Sequence, residues 1–419
     1  MSGHIFFYGY LPVAPTVLKP QRCKSPSVST NTSITLNPQS YPRQSDDIRG
    51  SNKCSKSWTG NFAKQNMRRV AKYQMEQKVK NPKPNMPAPC VSPARARFDL
   101  SVIIVNYNTQ DVTANAIQSV LDNAGALDLE VIVVDNASTD GSVASLRRTF
   151  PRVKVLATGQ NGGYAWGNNI GIRHAQGRYL LVLNPDTEIL DGALERAVKY
   201  LEVNPDVGIL GCHASLGDGT QQLTLFRQVS LSGLFWNVFV PNKLIRNSRQ
   251  FGDQRYVSLA RDRVQDVDVV AGCFMMLSRE VVDRVGMMDD RFFMYSEEAE
   301  WCWRVRQAGL KVRYNPDIRI IHHGAFSTGQ RSPWKSVEIA KGRILFLRFS
   351  RGPTVAWLGT MLMLSGDLLR AAWFLPVSLI RPRNEGARAW RKRLSFLIRA
   401  LVRPPRGQVP PKPSADMAA

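Results

Sequence analysis

Cysteine is scarce and unpatterned in this chain. Six residues (Cys23, Cys54, Cys90, Cys212, Cys273 and Cys302) are spread over 419 positions without one Cys-x-x-Cys pair. Neither a disulfide framework nor a dithiol motif is indicated. Cys212, Cys273 and Cys302 lie in apolar surroundings and read as reduced, buried small residues of a cytoplasmic domain. The amino-terminal end has no charged segment followed by a clean apolar core, so a secretory signal is not expected. The glycine-rich stretch QNGGYAWGNNIG (160–171) is neither GxGxxG nor GxxxxGK[ST]. This argues against a dinucleotide-binding Rossmann site and against a phosphate-binding P-loop. No internal repeat is visible.

Acid is what the two ends lack. Residues 1–97 hold 16 Lys/Arg against 3 Asp/Glu, and residues 348–419 hold 13 against 3. The remaining 98–347 hold 27 of each, so the formal charge of +23 lies wholly in the extensions. A neutral body with basic ends fits attachment to an anionic surface better than groove reading. The basic segments also lack an RNP-like or zinc-finger pattern, so nucleic acid is not an expected partner. Residues 1–97 are rich in Ser, Pro, Asn, Gln and Lys and read as a disordered extension, with Met67 and Met75 as internal candidate starts.

From residue 101 the texture changes. SVIIVNYN, EVIVVDNAS (130–138), RYLLVLNPDTEI (178–189) and VGILGCHA (207–214) are compact apolar runs that end in polar residues. Helical patterns lie between them, near 111–123, 140–149, 164–175 and 191–203. Such alternation predicts an α/β, Rossmann-like, mostly parallel sheet flanked by helices and buried on both faces. Further on, VDVVAGCFMMLSREVVDRVG reads as a strand and a short helix, FFMYSEEAEWCWRVRQAG as a helix ending at Gly309, and KVRYNPDIRIIHHG as two short strands. Ligands of open α/β sheets bind beyond the carboxyl ends of the strands, which directs attention to the residues ending these runs.

Each candidate has two readings at this level. Asp135 is either an acceptor for a ribose or base edge or a turn-capping aspartate. Asp186, in NPD, is either an oxygen ligand for a divalent cation on a diphosphate or a strand-end turn residue. The His322–His323 pair is either a metal contact or an exposed strand end. In YSEEAEWC, Ser296 is placed to cap a helix whose first turn carries Glu297, Glu298 and Glu300, where acids suit the helix dipole. Alternatively, one of these carboxylates faces a cleft as a general base, with its pKa raised by the aromatic surroundings.

Taken in order, SVIIVNYNT, EVIVVDNASTDGS, NGGYAWGNNIGI, YLLVLNPDTEI, VAGCFMM, GMMDDRFFMYSEEAEWCWR and HHGAFS resemble the family 2 glycosyltransferases of the GT-A fold. The nearest likeness is to their bacterial rhamnosyltransferase-like branch, over about residues 98–330. The resemblance implies inverting transfer of a sugar from a nucleotide-diphosphate donor to a hydroxyl of a glycan or lipid-linked acceptor in cell-surface polysaccharide synthesis. Asn106, Tyr107 and Asp135 would hold the nucleoside, with Tyr107 stacking on a pyrimidine, and Asn161 and Gly163 would lie along the donor pocket. NPD takes the place of the family's DxD motif, with Asn184 at the first position and Asp186 holding Mg²⁺ or Mn²⁺. His322 fits the HxGxxS pattern with Gly324 and Ser327 and is preferred to His323 as a second metal contact. Glu298 would be the acceptor base, supported by Glu297 and Glu300. It stands where the family has an aspartate, as Glu300 does, and Trp301 replaces a leucine. The implied donor is dTDP-rhamnose, ahead of UDP-hexoses. The Glu-for-Asp changes also fit a nucleotide-sugar-binding or scaffold protein that has lost catalysis.

Residues 353–380 are nearly long enough to span a membrane, but Asp367 and Arg370 interrupt them. The following RPRNEGARAWRKRLSFLIRALVRPPR is basic with interleaved apolar residues. The expected domains are thus an extension (1–97), a GT-A body (98–347) and a basic region (348–419). The last would lie as amphipathic helices on the inner face of the cell membrane, held by anionic lipid. Its alternative is a helical subdomain packed on the body.

Overall fold

A computed structural model describes residues 96–240, 261–324, 333–380 and 385–409. The expected disordered extension and Ser327 lie outside the described residues, apart from positions 96 and 97. In chain order the elements are β1 (Phe98–Asn106), α1 (Gln110–Asp122), β2 (Leu129–Asp135), α2 (Ser142–Thr149), β3 (Lys154–Ala157), α3 (Tyr164–His174), β4 (Gly177–Leu183), β5 (Thr187–Ile189), α4 (Ala193–Val203) and β6 (Val207–Ser215). Then follow β7 (Leu225–Phe226), α5 (Leu231–Phe239), β8 (Gln265–Asp266), β9 (Val269–Val270), β10 (Phe274–Ser278), α6 (Arg279–Val285), α7 (Glu297–Gln307) and β11 (Lys311–His322). Three longer helices close the chain: α8 (Pro333–Arg351), α9 (Pro353–Ile380) and α10 (Glu385–Val402).

The fold is α/β. One sheet runs β3-β2-β1-β4-β10-β6-β11-β5, with β8 also paired to β11. β3, β2, β1 and β4 are mutually parallel, as are β6 and β11. β10 is antiparallel to both β4 and β6, and β5 and β8 are antiparallel to β11. The continuous apolar runs are buried on both faces, as their composition requires. Leu100, Val102, Ile104, Val131 and Val133 face α1, α2 and α4, whereas Ile103, Ile132, Val134, Leu180 and Val182 face α3, α6 and α7. Each such side chain removed from water contributes roughly 1.5–3 kcal/mol.

Several elements differ from the sequence reading: RYLLVLNPDTEI divides into β4 and β5, VDVVAGCFMM into β9 and β10, and β7, α5 and β8 were not anticipated. The segment expected to form two short strands is one twelve-residue strand, β11, whose register against β6 jumps between Asn315 and Arg319. Pro316 sits in that irregularity, where its missing N–H costs no ladder bond. The four-residue β3 was not anticipated; half of it is exposed, so it carries little apolar signal.

The basic region is helical, and α8, α9 and α10 build a third core. Ala340, Ile344, Phe346, Leu347, Ala356, Met363 and Leu397 pack with Leu234 of α5, Trp303 of α7 and Phe292. Among the described residues no helix is long and apolar enough to cross a membrane. Asp367, one of the two residues interrupting the apolar run, is buried and ion-paired with Arg393 of α10 at 2.8 Å. Trp357, Leu358, Met361, Leu368 and Leu369 of the same helix stay exposed.

Candidate active site

The carboxyl ends of β1, β2 and β4 lie side by side because the strands are in register, Asn106 opposite Asp135 and Ile104 opposite Leu183. Four non-glycine residues of the described chain have left-handed backbone: Asn108, Ala137, Tyr295 and Ser296. The first two follow β1 and β2, and the last two immediately precede α7. Strained backbone of this kind persists only where the surroundings over-determine it, and it clusters at functional sites.

Asn106 and Asp135 form a closed network. The Asn106 amide donates to Asp135 Oδ2 (2.6 Å) and Ser138 Oγ (3.1 Å), and its oxygen accepts from Thr109 (2.7 Å) and Thr113 (2.8 Å). Both donors and both lone pairs are thereby occupied. The fully buried Asn106 side chain thus braces Asp135. Asp135 Oδ1 accepts from the Ser138 N–H at 2.9 Å, so the turn-forming reading of this residue is realised. Tyr107, by contrast, follows β1 with 41% of its surface exposed and its ring available for stacking.

The glycine loop is held by intramolecular contacts. Asn161 Oδ1 accepts from Gly163 N at 3.0 Å, and the Gly163 carbonyl accepts from Asn136 Nδ2 at 3.0 Å. Gly163 has φ 87°, and a β-carbon there would collide with the Phe293 carbonyl oxygen. That same oxygen accepts from Tyr164 N at 2.8 Å. The glycine thus lets the NGG loop dock on the FFMYSEE segment, and its close approach is to protein backbone.

Asp186 and His322 meet through sheet pairing. β5 runs antiparallel to β11 with Thr187 opposite His322, which sets His322 beside the residue before Thr187. Asp186 Oδ1 and His322 Nε2 are 3.1 Å apart and both residues are buried. Burial raises the Asp186 pKa, but the hydrogen bond and charge of His322 outweigh it, and the net shift is downward. Asn184 Nδ2 lies 3.2 Å from the same Nε2. On the other side of the ring, Nδ1 meets Gln222 Oε1 at 2.8 Å. An amide oxygen only accepts, so Nδ1 carries a proton, and Nε2 is the nitrogen turned toward the carboxylate. A carboxylate oxygen and an imidazole nitrogen at this separation fit adjacent positions around a small divalent cation. Metal–ligand bonds of about 2.1 Å at right angles put such donors about 3 Å apart. His323 turns away and pairs with Glu188 at 2.7 Å.

The three glutamates separate into distinct environments. Glu300 is buried against Arg304, which donates to both its oxygens at 2.7–2.9 Å and also to the carbonyls of Val285 and Met287. Its support of the site is indirect: it anchors α7 to the loop after α6. Glu297 is 4% exposed, and its Oε2 meets no hydrogen-bond partner among the described residues. Burial, then the neighbouring Glu298 charge, pushes its pKa well up. Glu298 is half-buried, and burial raises its pKa too. Ser296 occupies the cap position, but in left-handed conformation and without a side-chain cap bond, so the expected serine cap is absent.

Tyr164 joins the two halves. Its hydroxyl donates to the Gly272 carbonyl at 2.8 Å. After burial, the charges of Glu297, Cys273 and Glu298 raise its pKa. Next in chain, the Cys273 carbonyl accepts from Asn184 N at 3.2 Å, and the Asp186 charge bears on the Cys273 thiol. The carboxylate pair of α7 and the Asp186–His322 pair therefore flank one short stretch of chain. Sequence reasoning missed Tyr164 and Gln222. The former lies within the glycine motif, whereas nothing local to Gln222 signals a histidine a hundred residues away.

The glycosyl transferase family 2 model matches residues 101–286. A low-salt glycan biosynthesis hexosyltransferase of Haloferax volcanii is 28% identical over 241 residues, 54% of this chain and 67% of that protein. An N-acetylglucosaminyl-diphospho-decaprenol L-rhamnosyltransferase of Mycobacterium tuberculosis is 26% identical over 250 residues, 55% of this chain and 78% of that protein. A dTDP-rhamnosyl transferase of Shigella flexneri is 25% identical over 227 residues, 54% and 69% of the two chains. Among solved structures, a mannosyltransferase from Pyrobaculum calidifontis in complex with GDP-Man and Mn²⁺ aligns with a TM-score of 0.45 at 18% identity. That alignment covers 81% of this chain and 95% of that one.

Proposed function

We propose, from the premise that this chain carries a glycosyl transferase family 2 domain in residues 101–286, that it is an inverting, metal-dependent glycosyltransferase of the GT-A kind. The donor is a nucleotide-diphosphate sugar. Two rhamnosyltransferases among the relatives support dTDP-rhamnose as that donor and a lipid-linked glycan as the acceptor. The observation that carries the reading is the buried Asp186–His322 pair at 3.1 Å, its imidazole oriented by Gln222, together with a carboxylate pair of raised pKa. Asp186 and His322 would hold Mg²⁺ or Mn²⁺, whose charge offsets that of the departing diphosphate. Tyr107 stacks on the base, and Asp135 orders the turn beneath it. Glu298 accepts the proton of the acceptor hydroxyl. The oxygen then bonds to the anomeric carbon, the carbon–phosphate oxygen bond breaks, and the nucleoside diphosphate leaves from the opposite face. Burial raises the pKa of both carboxyls, and the Glu298 charge raises that of the deeper Glu297 further, which makes Glu298 the one of the pair that gives up its proton first.

A thermal-shift panel of nucleotide sugars, with and without Mn²⁺, tests this reading. A shift with one donor that depends on the metal is expected. Glu298→Gln should keep that shift and lose transfer by a factor of about 10³ or more. Donor binding without transfer in the wild type would instead favour the catalytically impaired nucleotide-sugar binder. Transfer retained in Glu298→Gln would remove Glu298 from the role of base.

A further inference from the structure

After α10 the chain returns to the catalytic body. The Pro405 carbonyl accepts from Arg348 Nη1 of α8 at 3.3 Å, and Gln408 N donates to the Arg291 carbonyl at 2.9 Å. The Gln408 side chain then bridges two loops. Its Nε2 donates at 2.7 Å to the Gly162 carbonyl and at 2.7 Å to the Asp290 carbonyl. A primary amide has two N–H groups, and each is spent on one loop. The loops are the two arms of the proposed site. One is the NGG loop entering α3. The other runs from Asp289 to Phe293 and on through Tyr295 and Ser296 to Glu297 and Glu298. Deeper in, they touch through Tyr164 N and the Phe293 carbonyl; Gln408 closes them at a second point.

We propose that Gln408 is a positioning residue, holding the glycine loop and the loop that leads to the carboxylate pair at a fixed separation. Two features of this geometry make the side-chain identity matter. Glutamate has the same length but no N–H to donate. Alanine keeps the backbone bond to Arg291 and removes both side-chain bonds. The catalytic consequence rests on the reading of Glu298 as base, whereas the bridge itself does not.

Hydrogen exchange on the full chain separates the two. In Gln408→Glu and Gln408→Ala, amides in 161–164 and 289–293 should exchange roughly tenfold faster, with the amides of β1 and β2 unchanged. Unchanged exchange in both loops overturns the bridge. With the donor identified from the nucleotide-sugar panel, kcat should fall roughly tenfold and the donor KM by less than a factor of two, because a misplaced base affects turnover before binding. Wild-type kcat in both variants overturns the positioning role. Faster loop exchange together with no shift from any nucleotide sugar would leave the bridge standing and sink the transferase reading.

Discussion

At the scale of single residues, side chains with the right chemistry divide according to what already satisfies them. Asn106 and Glu300 have the composition of ligand contacts, yet Asn106 has no free valence and Glu300 is spent on Arg304. Asp186 and His322 have donors facing one another. Sequence alone ranks these residues by motif; the hydrogen-bond partners separate them. Gln222 carries the first prediction. Gln222→Leu removes the acceptor that holds His322 Nδ1–H, so Mn²⁺ affinity in the presence of nucleoside diphosphate should weaken about 10–100-fold in calorimetric titration. The second prediction concerns Asp290. Burial, with the charge of Asp289 beside it, raises its pKa to about 6. The folded state therefore binds a proton that the unfolded chain releases near pH 4. The stability this contributes is complete below pH 4 and disappears as pH rises through about 6. Asp290→Asn should flatten the pH dependence of the melting temperature across that interval; a curve as steep as that of the wild type would contradict the assignment.

At the scale of elements, the start of α7 is the informative place. The acidic run was legible as a helix start, but two consecutive left-handed residues, Tyr295 and Ser296, precede it where a serine cap was expected. The reason lies across the core. A β-carbon on Gly342 of α8 would collide with the Tyr295 carbonyl oxygen, so the helix backbone presses directly on the turn. Lys335 lies over the Tyr295 ring at 5.8 Å, and Trp334 packs edge-on against Phe293. Glycine inside a helix normally costs about 1 kcal/mol relative to alanine. Gly342→Ala would thus stabilise an unobstructed helix. Here it should instead destabilise by about 1–3 kcal/mol in denaturant unfolding, through overpacking against the turn, and lower turnover by displacing Glu298. A more stable variant would show that α8 does not set this turn.

At the scale of the whole molecule, the carboxy-terminal helices combine two properties that the sequence presents as alternatives. They pack on the body through Phe346, Leu347, Phe292 and Trp303. They also leave an apolar row exposed on α9, while α10 exposes Arg391, Lys392, Ile398, Arg399 and Val402, with Arg403 just beyond its end. A basic stripe with apolar residues between the charges suits an anionic bilayer surface, each cation contributing about 1 kcal/mol there. Replacing Arg391, Lys392, Arg399 and Arg403 by Gln should release the protein from anionic vesicles in flotation, with the melting temperature within about 2 °C of wild type. Flotation unchanged from wild type would assign no membrane role to this face.

The α/β class, the strands buried on both faces, and the order of the motifs were determined by the sequence itself. Apolar periodicity and strand-end polarity are local properties, written in adjacent residues. Only the tertiary structure decided how His322 meets Asp186, because the antiparallel register of β5 against β11 sets them side by side. It also decided that Asp367 anchors a helix pair, and that a glutamine near the carboxy terminus joins two distant loops. Hydrogen bonds and ion pairs between residues a hundred or more positions apart leave no periodic trace along the chain. They exist once packing of the sheet and the three closing helices has brought their partners within about 3 Å.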